Sequence, residues 1–466
     1  MGSCRGSLNS EQETSKNLGW AVLCSSGNRR LSSRMVFLPG LDGLLMLNLL
    51  KAMTAAGLLG FGGGSAMIPI IEDQLVNKHS LISTEDFNRQ VVVVNITPGA
   101  QPPKLGALNG IQSEGTLAAV LASLVVSLPS VLVTLGLLSL GGSVHWITLA
   151  SVGISVVIIV MMLAYIARVL AAADRRRRVF WVIIVATVLL AGLGNLLSFL
   201  GTLLGRDLSL AIPRVTTPQV IALSLIVIVL ASIRQKSSPL QVRLGGLRRY
   251  LLGSLVFAGI SLLGVAVCFA LLGFDGLVIG GRLALSAVTS FGGGPAYLGV
   301  ASGYFVDSGL ISSELFYTQL VPISSALPGP ILVKVAAGVA FIVGGESGVV
   351  FAWISGLAAM LIVTGACVAV LLPIYGAYDQ LKTHPIFQNI SNYMLAVVCG
   401  LLVNTAISML QASAEIGASL GHSPTLVTWL SLMGIVTCYV IHHRKWLPDI
   451  LLILGCGVLS VLAFSF

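Results

Sequence analysis

Long apolar runs alternate along the chain with shorter apolar pieces interrupted by glycine and proline. The long runs fall at about 43–60, 116–139, 147–171, 179–203, 217–233, 250–273, 348–372, 390–410, 424–441 and 446–465. Each is close to the roughly 17–25 residues a helix needs to cross a bilayer. The shorter pieces lie at about 62–76, 84–97, 100–112, 276–290, 295–306, 314–326 and 331–345. As single straight helices these are too short to span, and they form two clusters. The pattern predicts an all-α polytopic membrane protein with broken or re-entrant helices after each Phe-Gly-Gly-Gly and around each Pro-Gly.

The two clusters are copies of one another. Phe61-Gly62-Gly63-Gly64 recurs as Phe291-Gly292-Gly293-Gly294, an offset of 230 in the numbering. At the same offset Pro98-Gly99 becomes Pro328-Gly329, Lys104 becomes Lys334 and Gly115 becomes Gly345. Ahead of the glycines, Leu41-Asp42-Gly43-Leu44 resembles Phe274-Asp275-Gly276-Leu277 with a three-residue slip. The spacing from the Phe to the Pro is identical in the two copies, which chance does not readily reproduce, so an internal duplication is expected.

Composition agrees with a membrane chain and removes other classes. Only 9% of the 466 residues are charged and 56% are hydrophobic, against about 25% charged in an ordinary soluble domain. A soluble enzyme, a disordered chain and a nucleic-acid binder are excluded. An outer-membrane barrel is excluded as well, because its strands would be short and alternating. The net charge of +9 belongs to loops that stay on the cytoplasmic side during insertion. The seven cysteines include no CxxC pair, and those at 367, 399, 438 and 456 sit in apolar runs as small hydrophobes. Residues 1–34 are polar and carry no signal-peptide core, so they read as a cytoplasmic tail or an over-extended gene start.

Arginine and lysine placement predicts orientation. Arg175 to Arg178 form one basic loop, Arg234, Lys236, Arg243, Arg248 and Arg249 a second, and Arg444 with Lys445 a third. With all three cytoplasmic, the span at 116–139 runs outward and its repeat equivalent at 348–372 runs inward. The halves are then inserted upside down, an inverted-topology repeat as in many secondary transporters. The expected organisation is a tail at 1–34, a first repeat at 35–172 and a hairpin linker with basic loops at 173–249. A second, inverted repeat at 250–410 and C-terminal spans at 411–466 complete it.

Unwound backbone in a bilayer is tolerated only inside protein or beside a cavity. Glycine permits sharp turns and close approach of a ligand. A helix beginning after Gly64 or Gly294 would offer free N–H groups and a positive dipole end to an anion. Lys104 and Lys334 are deep charges at equivalent positions and read as counter-charge for that anion. The candidate binding residues are therefore Phe61, Gly62, Gly63, Gly64, Pro98, Gly99 and Lys104. Their equivalents are Phe291, Gly292, Gly293, Gly294, Pro328, Gly329 and Lys334. Two plainer readings stand beside this one: glycines for close helix packing, and lysines that snorkel to the interface. Glu72 and Asp73 occur in the first half only, where they could couple transport to protons or act as an interfacial cap. His442 and His443 adjoin Arg444 and read as loop, so no metal, cofactor or catalytic residue is expected. The glycine clusters lack the Lys-Ser/Thr of a nucleotide-binding loop.

At FGGGSAMIP and TPGA, and again at FGGGPAYLG and LPGP, the sequence resembles the chromate ion transporter family. The family pattern of Phe-Gly-Gly, Pro-Gly-Pro, a glycine-rich continuation and a Pro-Ser turn matches Phe61 to Pro69, Pro98-Gly99, Gly106 to Gly115 and Leu128-Pro129-Ser130. In the second half it matches Phe291 to Pro295 and Pro328-Gly329-Pro330. The resemblance covers roughly 43–170 and 275–400. The chain departs from it at Ala100, at Gln101-Pro102-Pro103, and in having no Pro-Ser turn after 350. The resemblance implies a multi-pass protein of the plasma (cell inner) membrane that exports chromate, with sulfate as an analogue. The N-terminus is expected in the cytoplasm and a homodimer is conceivable. Uptake or exchange of sulfate or another small anion, or an anion channel, are the alternative functions.

Overall fold

A computed structural model describes residues 41–60, 64–140, 145–172, 177–204, 215–233, 247–291, 294–381 and 384–465. Among them every regular element is a helix. The first half contains α1 (Leu41–Leu59), α2 (Ile68–Glu72), α3 (Thr84–Ile96), α4 (Gln101–Ser113), α5 (Thr116–Val125) and α6 (Leu128–Leu140). Then come α7 (His145–Ala172), α8 (Arg177–Leu204), α9 (Thr217–Ile233) and α10 (Leu247–Val288). The second half continues with α11 (Gly294–Ala301), α12 (Val321–Ala326), α13 (Ile331–Gly345), α14 (Val349–Gly376) and α15 (Tyr378–Leu381). The chain closes with α16 (Pro385–Ser419), α17 (Pro424–His443) and α18 (Asp449–Ser465).

Seven helical stretches are long and apolar enough to cross a membrane, which makes this an all-α polytopic membrane protein. The expected spans at 43–60, 217–233 and 446–465 are apolar helices too, but shorter than the rest. The expected span at 116–139 is interrupted at Val126 and Ser127, since Pro129 has no N–H and its ring crowds the preceding turn. The pieces expected at 250–273 and 276–290 are the two arms of α10, which meet at Gly273 (φ 61°, ψ −138°). That left-handed conformation is open to glycine. The second arm folds back on the first, since a Cβ on Gly276 would strike the Cys268 carbonyl and one on Gly280 the Val265 side chain.

Element boundaries recur at the offset seen in the sequence. Ile96, the end of α3, pairs with Ala326, the end of α12, and Gln101, the start of α4, pairs with Ile331, the start of α13. Wide π-helical turns follow the glycine clusters at corresponding places, Asp73–Lys78 and Ser302–Val306.

Apolar helices gain little from burying oil against lipid, so close backbone approach and interhelical hydrogen bonds hold them together. The α10–α14 seam shows both. A Cβ on Gly365 would come within 2.6 Å of the Phe257 carbonyl oxygen, and one on Gly264 within 2.7 Å of the Ala358 oxygen. Ser254 and Ser261 of α10 donate to the carbonyls of Ala369 (2.6 Å) and Ile362 (2.9 Å). Leu255 and Leu262 of α10 are both 68% exposed, as a lipid-facing stripe requires. The buried side chains form two cores. One gathers α1 to α5 with Phe257, Val368, Leu371 and Leu372 borrowed from α10 and α14. The other gathers most of the remainder.

Candidate functional site

Each Pro-Gly ends one short helix and starts another by the same route. Pro98 disfavours helical backbone in the residue before it, and Thr97 is extended (φ −94°, ψ 146°). Gly99 takes φ +102°, and α4 starts after extended Ala100. In the second half Leu327 is extended (φ −88°, ψ 149°), Gly329 takes φ +96°, and α13 starts after Pro330.

The two breaks are tied crosswise. The Gly99 N–H donates to the Ser290 carbonyl at 2.6 Å, and the Gly329 N–H donates to the Gly60 carbonyl at 2.7 Å. Ser290 and Gly60 are the residues directly before Phe291 and Phe61. Each Pro-Gly of one half thus holds the threshold of the triple glycine in the other. The glycines also pack across: a Cβ on Gly99 would strike the Cys367 side chain of α14, and one on Gly329 the Ser130 side chain of α6.

Lys104 and Lys334 are both fully buried, and each ammonium turns back onto its own break. Lys104 Nζ lies 2.7 Å from the Val94 oxygen, 2.9 Å from the Thr97 oxygen, 3.2 Å from Thr97 Oγ1 and 3.2 Å from the Pro98 oxygen. Lys334 Nζ lies 2.5 Å from the Leu327 oxygen and 3.0 Å from the Pro328 oxygen. Both therefore place positive charge at the carbonyl end of a short helix, where the dipole is negative. An ammonium has three N–H donors. Lys104 has at least as many acceptors as donors, whereas Lys334 has one N–H beyond its two acceptors among the described residues.

Phe61, Gly62, Gly63, Gly292 and Gly293 lie outside the described residues. Gly64 is buried with φ +46° and opens a 3-10 turn, Gly64–Met67, ahead of α2. The helix expected directly after Gly64 is thus preceded by a tighter turn. Gly294 opens α11 itself, and Phe291 beside it is buried. Of the buried polar atoms without a hydrogen-bond partner among the described residues, the Oγ atoms of Ser290, Ser324 and Ser325 and Oε1 of Gln101 belong to the segments flanking the breaks. Ser127 Oγ belongs to the junction of α5 and α6, and the others to Ser355, Thr364 and Asn404 on α14 and α16. Such atoms are costly in an apolar interior unless a ligand or water meets them.

Beside this region, Asn109 Nδ2 donates to Gln90 Oε1 (2.8 Å), Gln90 Nε2 to Gln112 Oε1 (2.9 Å), and Gln112 Nε2 to the Tyr375 hydroxyl (2.8 Å). The relay joins α3, α4 and α14. Its three amides correspond to Leu320, Val339 and Ile342 in the second half, so it exists once. Asp73 forms a half-exposed ion pair with Lys78 at 2.9 Å. The hydrogen bond from Lys78 holds its carboxyl below the usual carboxylate range. Arg282 donates to Ser308 Oγ at 2.7 Å.

Sequence reasoning located both breaks and both lysines but missed Ser290, Gly60 and Cys367, which the breaks touch. Position was the available signal: Gly60 and Ser290 are themselves related by the repeat offset. No group of three or more His, Cys, Asp or Glu suited to a metal occurs among the described residues.

The chromate transporter family model matches residues 47–208 and 278–461, about three quarters of the chain. Two uncharacterized transporters of Bacillus subtilis (strain 168) are similar. YwrB is 40% identical over 86 residues, 18% of this chain and 44% of that protein. YwrA is 32% identical over 95 residues, 20% of this chain and 53% of that protein. The chromate transport protein of Pseudomonas aeruginosa is 35% identical over 81 residues, 17% of this chain and 20% of that protein. The chain spans about half the length of the two Bacillus relatives and a fifth of the Pseudomonas one. No solved structure matches it significantly.

Proposed function

We propose a transport function on one established premise: the chain belongs to the chromate transporter family. In this reading it is a secondary transporter that exports chromate across the plasma membrane. The observation that carries the reading is the crosswise pair of bonds, Gly99 to Ser290 and Gly329 to Gly60. A contact in which equivalent residues exchange places is the signature of a two-fold relation. Together with the basic loops at Arg177-Arg178, Arg248-Arg249 and Arg444-Lys445, it supports two halves inverted in the membrane around a shared centre. Of those loops, residues 175–176, 234, 236 and 243 lie outside the described residues.

The anion would sit where the breaks meet. Backbone N–H groups at the glycine clusters, the hydroxyls of Ser290, Ser324 and Ser325, and the third N–H of Lys334 would replace part of its hydration. Lys104 would contribute charge from behind its carbonyls. Rocking of one half against the other would expose the centre to each side in turn. A negative-inside potential favours outward movement of a dianion by about 4.6 kcal/mol per 100 mV, twice the single-charge value, so export needs no nucleotide. Proton coupling through Glu72 and Asp73 is the weaker alternative, because Asp73 stays ionised beside Lys78.

The test is flux of chromate, sulfate, phosphate and small carboxylates through the purified protein in proteoliposomes. Chromate should be carried, and Lys104→Gln and Lys334→Gln should each reduce its flux at least tenfold. Unchanged flux in correctly inserted double variants would overturn the assignment of the site. Sulfate carried in preference to chromate would overturn the assignment of the substrate.

A further inference from the structure

At the far end of the chain, two cysteines that look isolated in sequence meet in space. Cys438 of α17 and Cys456 of α18 have Sγ atoms 3.5 Å apart. Both are free thiols. Their helices are also fastened at the connecting turn, where His442 Nδ1 lies 2.7 Å from Asp449 Oδ1. On the other side, α18 is seated on α7: Gly153 has no side chain because the Cys456 carbonyl occupies that space. The backbone of Cys456 is therefore fixed, and its thiol faces Cys438.

The pair forms part of the wall of a cavity of about 430 Å³ between α7, α17 and α18, lined mainly by apolar groups such as Val152, Val156, Leu430 and Leu459, with His422, Ser431 and Ser460 as its other polar side chains. Cys438 is 5% exposed, while Cys456 is only half-buried. The more open thiol is thus the one a molecule entering the cavity meets first.

We infer that Cys438 and Cys456 are a reversible dithiol site that closes to a disulfide on reaction with a hydroperoxide. The sulfur of Cys456 attacks the terminal peroxide oxygen. The O–O bond breaks, the alcohol (or water, from hydrogen peroxide) leaves with a proton, and Cys456 becomes a sulfenic acid. The sulfur of Cys438 then attacks that sulfur, an S–S bond forms, and the hydroxyl leaves as water with the Cys438 proton. Two thiols lose two electrons in all and the peroxide gains them. The sulfurs must close from 3.5 Å to about 2.05 Å. The product staples α17 to α18, and a thiol reductant reopens it. The hydroperoxide could be borne on a lipid chain, which suits an apolar cavity, or be small and aqueous.

The test uses full-length protein in lipid nanodiscs with Cys4 and Cys24, which lie outside the described residues, replaced by serine. It is exposed separately to linoleate hydroperoxide and to hydrogen peroxide, then analysed by intact mass and peptide mapping. Expected are the loss of two hydrogen masses per chain, a linked peptide pair containing Cys438 and Cys456, and full reversal by dithiothreitol. Cys438→Ser should instead leave a sulfenic acid at Cys456 that dimedone traps. Reaction at lower concentrations of the lipid hydroperoxide would assign the lipid source, and the reverse order the aqueous one. Wild-type thiols left unchanged by both oxidants, a linked pair involving other cysteines, or mass loss that persists in Cys456→Ser would overturn the inference.

Discussion

The backbone N–H of Gly99 meets the carbonyl of Ser290 at 2.6 Å, and its repeat equivalent Gly329 meets Gly60 at 2.7 Å. Two helix breaks far apart in sequence therefore stabilise each other through main-chain atoms. Neither half completes its own break: each Pro-Gly turn supplies a donor that the other half's glycine threshold accepts.

Gly99→Ala and Gly329→Ala should damage this centre. Each places a Cβ on backbone at φ near +100°, against Cys367 or Ser130 respectively. Strain of this kind costs about 1–3 kcal/mol. Thermal unfolding in detergent should show a lower Tm for both, with flux falling in parallel. Cys367→Ala should relieve only part of the Gly99→Ala defect, since it removes the Sγ but leaves the Cys367 Cβ at 2.7 Å and the positive φ.

The lysines should separate by stability. Lys104→Met strips the ammonium from three carbonyls and a hydroxyl, and Lys334→Met from two carbonyls. Each buried acceptor left unpaired costs about 1–3 kcal/mol. The Tm loss should therefore be larger for Lys104→Met. Lys334→Met should show the larger loss of flux relative to its loss of stability, because Lys334 keeps an N–H to offer.

The amide relay allows a test against the second half. Gln90→Leu alone orphans polar groups on Asn109 and Gln112 and should cost about 1–3 kcal/mol. The triple variant Gln90→Leu, Asn109→Val and Gln112→Ile installs the residues found at the equivalent positions of the second half. It should lose less than the three single losses added together, because it removes both partners of the bonds Asn109–Gln90 and Gln90–Gln112. Denaturation of the four variants checks this.

Asp73→Asn should leave flux and its pH profile between pH 6 and 8 unchanged. The carboxyl is held low by Lys78, so any stabilisation from the pair is present above the ordinary carboxylate range. It disappears only as pH falls through the lowered value. A shift of the transport optimum in this variant would restore the acid pair as a coupling element.

Much of this centre was readable in the chain because glycine and proline act locally. The short pieces expected at 84–97, 100–112 and 331–345 became α3, α4 and α13 to within a residue. Partners were not readable. The bond from Gly99 to Ser290 uses backbone atoms, which every sequence has, so composition carries no trace of it. The lysines announced a buried charge but not its direction: only the fold shows that Lys104 turns back to Val94, Thr97 and Pro98. The cysteines at 438 and 456 looked like unrelated core residues because of their separation along the chain, and the fold brings their sulfurs to 3.5 Å. The span at 116–139 was legible as an apolar stretch long enough to cross a membrane, whereas its break at Val126 and Ser127 was not, because strong hydrophobicity hid the effect of Pro129.

Chromate efflux from proteoliposomes of the full-length wild-type protein, under an imposed inside-negative potassium diffusion potential, tests the transport function most directly. Saturable efflux well above that of protein-free vesicles is expected. It should be several-fold faster than at zero potential, and external chromate should exchange with it. Efflux no faster than from protein-free vesicles, or efflux indifferent to the potential, would contradict electrogenic chromate export by this chain.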